Sequence, residues 1–244
     1  LIRKIRSAMI YPVIITVVAV FAIAAMLIFV IPVFAKMFEG VGQDLPAMTQ
    51  LVITLSNLAK VWAVPAVIIL IALFTIVRRW HKTEAGARSI DPLMLKVPIF
   101  GDLMRKQAIA RFSRTLSTLL SSGVPIIDAL EITAKSAGNW VIEDAILKAR
   151  TSIKGGENIA DPLAKTAVFP PMVTQMIAIG EASGGLDDML AKVADFYDSE
   201  VDAAVENLTS ALEPVVMVVL GGIVGFLLIS MYLPIFQLAG TITD

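Results

Sequence analysis

Cysteine is absent from the 244 residues, and there is a single histidine. Without cysteine there is no disulfide frame, no thiolate metal site and no cysteine nucleophile. A serine nucleophile would need His81 as its base, and His81 sits between Trp80 and Lys82, just past an uncharged run, where an interfacial role is expected. No G-x-x-x-x-G-K-[ST] loop is present, since neither Gly155-Gly156 nor Gly184-Gly185 is followed by Lys. Nucleotide hydrolysis by that route is therefore excluded. Asp187-Asp188 and Asp198/Glu200/Asp202 have the oxygens a hard cation prefers. Neighbouring residues on a helix point in different directions, so a solvated acidic face is expected there and no metal or other cofactor.

Charge is missing from three windows: 7–35 (29 residues), 61–77 (17) and 214–243 (30). Hydrophobic residues make up 57% and charged residues 17%, against about 45–50% and about 25% in ordinary soluble domains. A bilayer core requires about 20 apolar residues in a helix, with about 17 as the lower limit. Three membrane spans follow. No acid lies inside them, which excludes an intramembrane aspartyl protease and argues against an ion-coupled carrier, where such residues mark the pathway.

The net charge of −1 averages over an asymmetry: residues 78–114 carry nine Lys or Arg and three acids, whereas 181–213 carry nine acids and one Lys. Positive residues mark the cytoplasmic ends of short membrane loops. Arg3, Lys4 and Arg6 precede the first window, and Arg78, Arg79, Lys82 and Arg88 follow the second. The expected order is a cytoplasmic segment 1–7, a span at 8–35, a periplasmic loop at 36–56, and a second span at 57–77. A cytoplasmic helical domain at 78–213, a third span at 214–238 and a periplasmic tail at 239–244 complete it. The second span is short, so it must borrow residues from 51–58 or let Lys60 snorkel to the interface. The basic start is not a signal peptide, because its apolar run is about twice the usual length. Leu1 reads as the start of a fragment.

The first and third spans match each other. Pro12 and Pro32 align with Pro214 and Pro234, and Phe34 with Phe236, all at an offset of 202 residues. A duplicated unit of cytoplasmic domain plus span is expected, with another such domain preceding Leu1; parallel repeats of this kind build many membrane proteins.

Between the spans the apolar spacing is helical. Helices are expected over 103–121, 128–135, 140–153, 158–165 and 172–182, broken by Gly123 with Pro125, by Gly138-Asn139, by Gly155-Gly156, by Pro170-Pro171 and by Gly184-Gly185. No alternating Val, Ile or Thr run predicts a strand. From Leu186 one helix of 51 residues is expected through the third span to Phe236, on the order of 75 Å long, with Pro214 kinking it at the bilayer edge. The class is all-α: a polytopic membrane protein with three transmembrane helices and one cytoplasmic helical bundle. About half of the basic segment is accounted for by topology, and no nucleic-acid partner is expected. Arg105, Lys106, Arg111 and Arg114 lie further out and either contact a partner or form a solvated face.

Several runs carry a resemblance. Arg111-Phe112-Ser113-Arg114-Thr115-Leu116 and Leu119-Leu120-Ser121-Ser122-Gly123-Val124-Pro125 resemble the opening of the cytoplasmic domain of the type II secretion F and type IV pilus platform proteins. Phe169-Pro170, Gly180-Glu181-Ala182-Ser183-Gly184 and Glu213-Pro214 resemble later signatures of that family, in the right order. Met231-Tyr232-Leu233-Pro234-Ile235-Phe236 is closer to the pilus branch, PilC, than to the secretion branch, GspF. One departure is Ala182, where the family often carries another Glu, leaving Glu181 as the acidic member of that turn.

The resemblance implies a platform protein of the bacterial inner membrane without catalysis. It links a cytoplasmic hexameric ATPase to the assembly or disassembly of a pilin fibre. The implied partners are that ATPase, pilin, other inner-membrane assembly proteins, further copies of itself and the lipid bilayer. This chain is then the C-terminal portion, its N-terminus cytoplasmic and its C-terminus periplasmic. The alternatives are the type II secretion platform and, in another class, a permease or channel subunit. Gly123, Pro125, Pro170, Gly180, Gly184, Pro214 and Pro234 are expected to be structural, and Glu181 to be a further partner contact. Glu213 is expected either to mark the membrane boundary or to pair with a positive group on a neighbouring subunit or pilin.

Overall fold

The computed structural model describes residues 2–39 and 46–241, with side chains described for 10–36 and 46–234. Residues 40–45 of the expected loop, residues 242–244 of the expected tail, and the side chains of Arg3, Lys4 and Arg6 lie outside the described residues. The chain is all-helical: α1 (Ile2–Ala25), a π-helical turn (Met26–Val30), α2 (Ile31–Glu39), α3 (Ala47–His81), α4 (Glu84–Met94), α5 (Phe100–Ser121), α6 (Ile126–Ser136), α7 (Trp140–Lys154), α8 (Ala160–Lys165), α9 (Pro171–Ser183) and α10 (Leu186–Thr241). No strand occurs among the described residues. Three stretches, Ile10–Lys36, Ala47–His81 and Leu186–Pro234, are long and apolar enough to cross a bilayer, so the chain is a multi-pass membrane protein.

The chain divides into two compact units. One is built from Val77–Leu208 and the other from Arg6–Ile76 with the chain beyond Leu208. In the first, Ile109, Phe112, Leu116, Leu130, Ile142, Ile146, Leu163 and Ile177 are fully buried in one core. Each such side chain contributes roughly 1.5–3 kcal/mol on burial. Phe112 of α5 meets Phe169, which precedes α9, with ring centroids 4.8 Å apart.

Local chemistry sets the helix ends. Gly123, at φ 80°, closes α5. Its N–H donates to the Leu120 carbonyl and the Val124 N–H donates to that of Leu119, the paired bonds that end a helix on a left-handed residue. Pro125 and Pro170 stand in extended conformation immediately before α6 and α9. Asn139 caps α7 by accepting the Val141 N–H at 3.0 Å. Gly184 follows α9.

Three elements depart from expectation. The second span's helix starts at Ala47, not residue 57, so the expected loop is already helical there. Met48, Leu51, Val52, Leu55 and Leu58 keep the helical spacing, while Thr49, Gln50, Ser56 and Asn57 lower the hydropathy without breaking the helix. α4 is a helix that the spacing argument does not include, and Pro92 lies within it. Its start is nonetheless capped: the Thr83 hydroxyl accepts the Gly86 N–H at 3.2 Å. α10 continues to Thr241, beyond residue 236, with Pro214 and Pro234 inside it.

In the second unit the buried cluster is small: Ile31, Val52, Leu227 and Met231, flanked by Ile23, Met26, Leu27, Phe34 and Ile53. The outward faces are dominated by large apolar side chains, with Phe21 75% and Val218 74% exposed, as expected of surfaces solvated by lipid.

Gly180 marks a close approach. A Cβ there would lie 2.8 Å from the Leu186 Cα and 3.1 Å from the Met189 Cβ, so α9 and the start of α10 touch through this position. Gly180→Ala is expected to destabilise the helical unit by about 1–3 kcal/mol, read as a lower thermal midpoint of the detergent-solubilised protein. Gly221→Ala, where a Cβ meets nothing within 4 Å, serves as the control and is expected to leave the midpoint unchanged or raise it.

Candidate functional site

The basic face of α5 and the acidic face of α10 satisfy each other. Lys106 Nζ lies 3.0 Å from Glu200 Oε2 and 3.1 Å from Asp102 Oδ2. Arg114 donates to Asp195 at 2.6 Å and to Asp198 at 2.8 Å. Hydrogen bonding to Glu200 and then to Asp102 raises the Lys106 pKa, and bonding to Asp198 and then to Asp195 raises that of Arg114. Both therefore stay cationic at neutral pH. All of these groups remain partly exposed, so each pair is worth only about 0.2–1 kcal/mol. Their role is to align α10 on α5, together with the Ser117 hydroxyl, which donates to the Asp187 carbonyl at 2.9 Å.

The four basic candidates thus separate. Lys106 and Arg114 are engaged within the unit. Arg111 donates to the Ser136 carbonyl at 3.3 Å, where it closes the end of α6. Arg105 is exposed and makes no ion pair among the described residues. Of the acids, Asp198 and Glu200 face cations, and no group of three or more His, Asp or Glu arranged for a metal occurs among the described residues.

Glu181 is turned inward. The backbone N–H of Ile159 donates to both of its carboxylate oxygens, each at 3.0 Å. Ile159 is the residue before α8, and its amide is one of the donors a helix start leaves without an internal acceptor. Glu181 thereby ties the loop before α8 to α9.

Asp91, which sequence reasoning passed over, is a second buried junction. It is 3% exposed and lies 2.6 Å from His81 Nε2. Its other oxygen accepts the Trp140 N–H at 2.6 Å, so the end of α3, α4 and the start of α7 meet on one carboxylate. Arg88 stacks over Trp140 at 5.3 Å. His81 therefore has a specific partner besides its place beside the second span. The signal available in sequence was an acid among the basic residues of 78–96, ten positions after the single histidine.

In the second unit, Tyr11 and Glu213, matched positions of the repeat, line one cleft of about 110 Å³ together with Pro12, Ile15, Leu212 and Met217. Glu213 is exposed there. Pro214, the next residue in α10, has no N–H to offer the Ser210 carbonyl, and Ser210 also lines this cleft. The cleft is thus an apolar slot with acceptor groups at one edge, suited to a cationic or hydrogen-bond-donating group on an apolar stem. It contains no nucleophile–base pair.

Removing the Glu181 acceptor is expected to separate structure from partner binding. Glu181→Ala strands the Ile159 amide and costs about 1–3 kcal/mol; Glu181→Gln keeps an acceptor oxygen and stays close to wild type. Thermal unfolding of the two variants reads this. Equal and undiminished stability in both would free Glu181 for a partner contact.

Residues 112–234 match the family described as type II secretion system (T2SS), protein F. The chain is also similar to type IV pilus assembly protein PilC of Myxococcus xanthus, 51% identical over 98% of this chain and 57% of the relative. It is similar to the PilC protein of Thermus thermophilus, 47% identical over 98% and 59%, and to type II secretion system protein F of Aeromonas hydrophila, 35% identical over 96% and 61%. The chain spans about three fifths of the length of these relatives. With half of its length matched, the three apolar helices and the order of its helix-breaking motifs, the chain belongs to the type II secretion system protein F family.

Proposed function

We propose that the chain is part of the inner-membrane platform of a type IV pilus machine, a non-enzymatic component that couples a cytoplasmic ATPase to the insertion or removal of pilin. The observation that carries this reading is its similarity, along 98% of its length, to proteins named as type IV pilus assembly proteins. The runner-up is the type II secretion platform, to which the similarity is lower, at 35% identity with protein F of Aeromonas hydrophila; neighbouring genes distinguish the two. Further copies of the chain and other inner-membrane assembly proteins are the remaining proposed partners.

In this reading the helical unit faces the cytoplasm and receives the ATPase, with Arg105 as the basic residue left available for it. The helix α10 begins in that unit and continues, without a break in its helical assignment, into the membrane unit. With α3, which also crosses the unit boundary, it is a covalent route by which displacement reaches the spans. The cleft at Tyr11 and Glu213 then takes a positive group on a neighbouring subunit or an arriving pilin, with Glu213 as its counter-charge.

Sidedness follows from the Lys and Arg distribution. Cysteine introduced at residue 45 is expected to react with an impermeant thiol reagent on spheroplasts, and cysteine at residue 150 only after permeabilisation. Labelling at 150 in sealed spheroplasts would overturn this topology.

Glu213→Gln keeps the size of the side chain and removes its charge. A carboxylate at the bilayer edge costs less than the roughly 2.5–3.5 kcal/mol of one at the centre, so insertion does not hinge on its identity. The variant is expected at normal membrane abundance with fewer surface pili. Normal piliation at equal abundance returns Glu213 to the role of boundary marker.

A further inference from the structure

The two prolines that close the repeated spans each remove a backbone donor, and in both cases a hydroxyl of α3 takes its place. In α10 the Ser230 carbonyl would accept from residue 234, but that residue is proline and has no N–H. The Thr49 hydroxyl donates to this carbonyl at 2.6 Å. The first span repeats the arrangement with a shift. Before Pro32 the helix opens into the π turn, and the Ile31 N–H donates to Met26, five residues back. The Leu27 carbonyl has thus lost its α-helical donor, and its π-helical donor would be the proline at 32. The Ser56 hydroxyl donates to Leu27's carbonyl.

These are not scattered surface contacts. Ser230 and Ser56 are each 1% exposed and Thr49 is 6% exposed. Thr49 and Ser56 stand seven residues apart, two turns along one face of α3. Val52, 1% exposed, lies between them and joins the buried cluster with Ile31, Leu227 and Met231. Backbone groups within a bilayer must be satisfied inside the protein, and Ser and Thr are among the side chains able to re-satisfy those that proline frees.

We propose that Thr49 and Ser56 form a two-point latch by which α3 fixes its register against both duplicated spans, each hydroxyl capping the carbonyl that Pro234 or Pro32 leaves without an amide donor. The latch is specific because its acceptors exist only where a proline interrupts the helical ladder. Elsewhere on α1 and α10 a helix carbonyl already has its own donor and attracts a neighbouring hydroxyl less. It is also reversible, since a side-chain hydrogen bond between membrane helices is modest in strength, equivalent to about a threefold shift in a docking equilibrium. The inference concerns the membrane unit alone and stands whether or not the protein serves a pilus.

The test is a double-mutant cycle in the full-length protein, read as its thermal midpoint in detergent. Thr49→Val, which keeps the shape and removes the hydroxyl, is expected to lower the midpoint by the equivalent of about a threefold shift in the docking equilibrium. Thr49→Ser, which keeps the hydroxyl, is expected to behave as wild type. In a Pro234→Ala background the restored amide serves the Ser230 carbonyl, so Thr49→Val should then have little further effect. An equal loss from Thr49→Val in both backgrounds, or no loss in either, overturns the latch. Where Pro234→Ala fails to accumulate, the same cycle on Ser56→Ala and Pro32→Ala decides the question by the same outcomes.

Discussion

Hydrocarbon offers no hydrogen bonds, so every backbone carbonyl within the bilayer must find its donor in the protein. An uninterrupted helix meets this requirement by itself. A proline does not, because it deletes one donor and crowds the turn before it. The repeat places prolines at 12, 32, 214 and 234, and the second unit is organised around the consequences. The carbonyls freed by Pro32 and Pro234 meet α3, whose hydroxyls replace the missing amides. The Pro12 and Glu213–Pro214 end of the repeat opens instead into the cleft where Tyr11 and Glu213 come together. One defect, copied, thus gives a sealed contact at one end of the spans and a slot lined with acceptors at the other.

The helical unit obeys a different rule. Water solvates its surface, so apolar burial drives its assembly and charge pairs only orient it. Its core is continuous from Ala108 to Tyr197, and the pairs Lys106–Glu200 and Arg114–Asp195/Asp198 lay the start of α10 along α5. Carboxylates bonded to backbone amides, Asp91 buried and Glu181 half-buried, carry more consequence than these exposed pairs. Asp91 joins three helices through His81 and the Trp140 amide, and Glu181 joins α9 to the loop before α8. Both carboxylates accept backbone N–H bonds, which offsets part of the cost of withdrawing their oxygens from water.

What could be read from the sequence follows from how local each signal is. The three apolar helices, the five short helices from α5 to α9 and the start of α10 depend on spacing and on Gly or Pro within a few residues, and the ends of the five short helices lie within about three residues of those the spacing predicts. The start of α3 was missed because Thr49 and Ser56 look polar in a hydropathy window, although their hydroxyls are consumed inside the membrane unit. α4 was missed because Pro92 argues against a helix, while the Thr83 cap that starts it is a single residue. For the candidate site, charge composition located α5 and α10 but not their relation. Lys106 to Glu200 spans 94 positions in sequence, and no local pattern states that such residues pair. Asp91 and Glu181 were hidden for the same reason, since their partners are backbone amides 49 and 22 residues away.

The contrast between the units bears on where a moving platform yields. A large apolar core resists partial opening, because each side chain that leaves it costs the burial energy of its own surface and of its neighbours. Between membrane helices that driving force is missing, since lipid is as apolar as leucine, and association rests on packing and on hydrogen bonds of about 0.6 kcal/mol on average. Among the described residues the membrane unit buries four apolar residues in its cluster and adds the two hydroxyl caps. A displacement carried by α10 would meet its least resistance where α3 touches the repeated spans, while the core of the helical unit moved as one body. The hydroxyls limit how far that goes: sliding α3 by a turn would leave two carbonyls in hydrocarbon without donors, so the contact favours discrete registers over continuous drift.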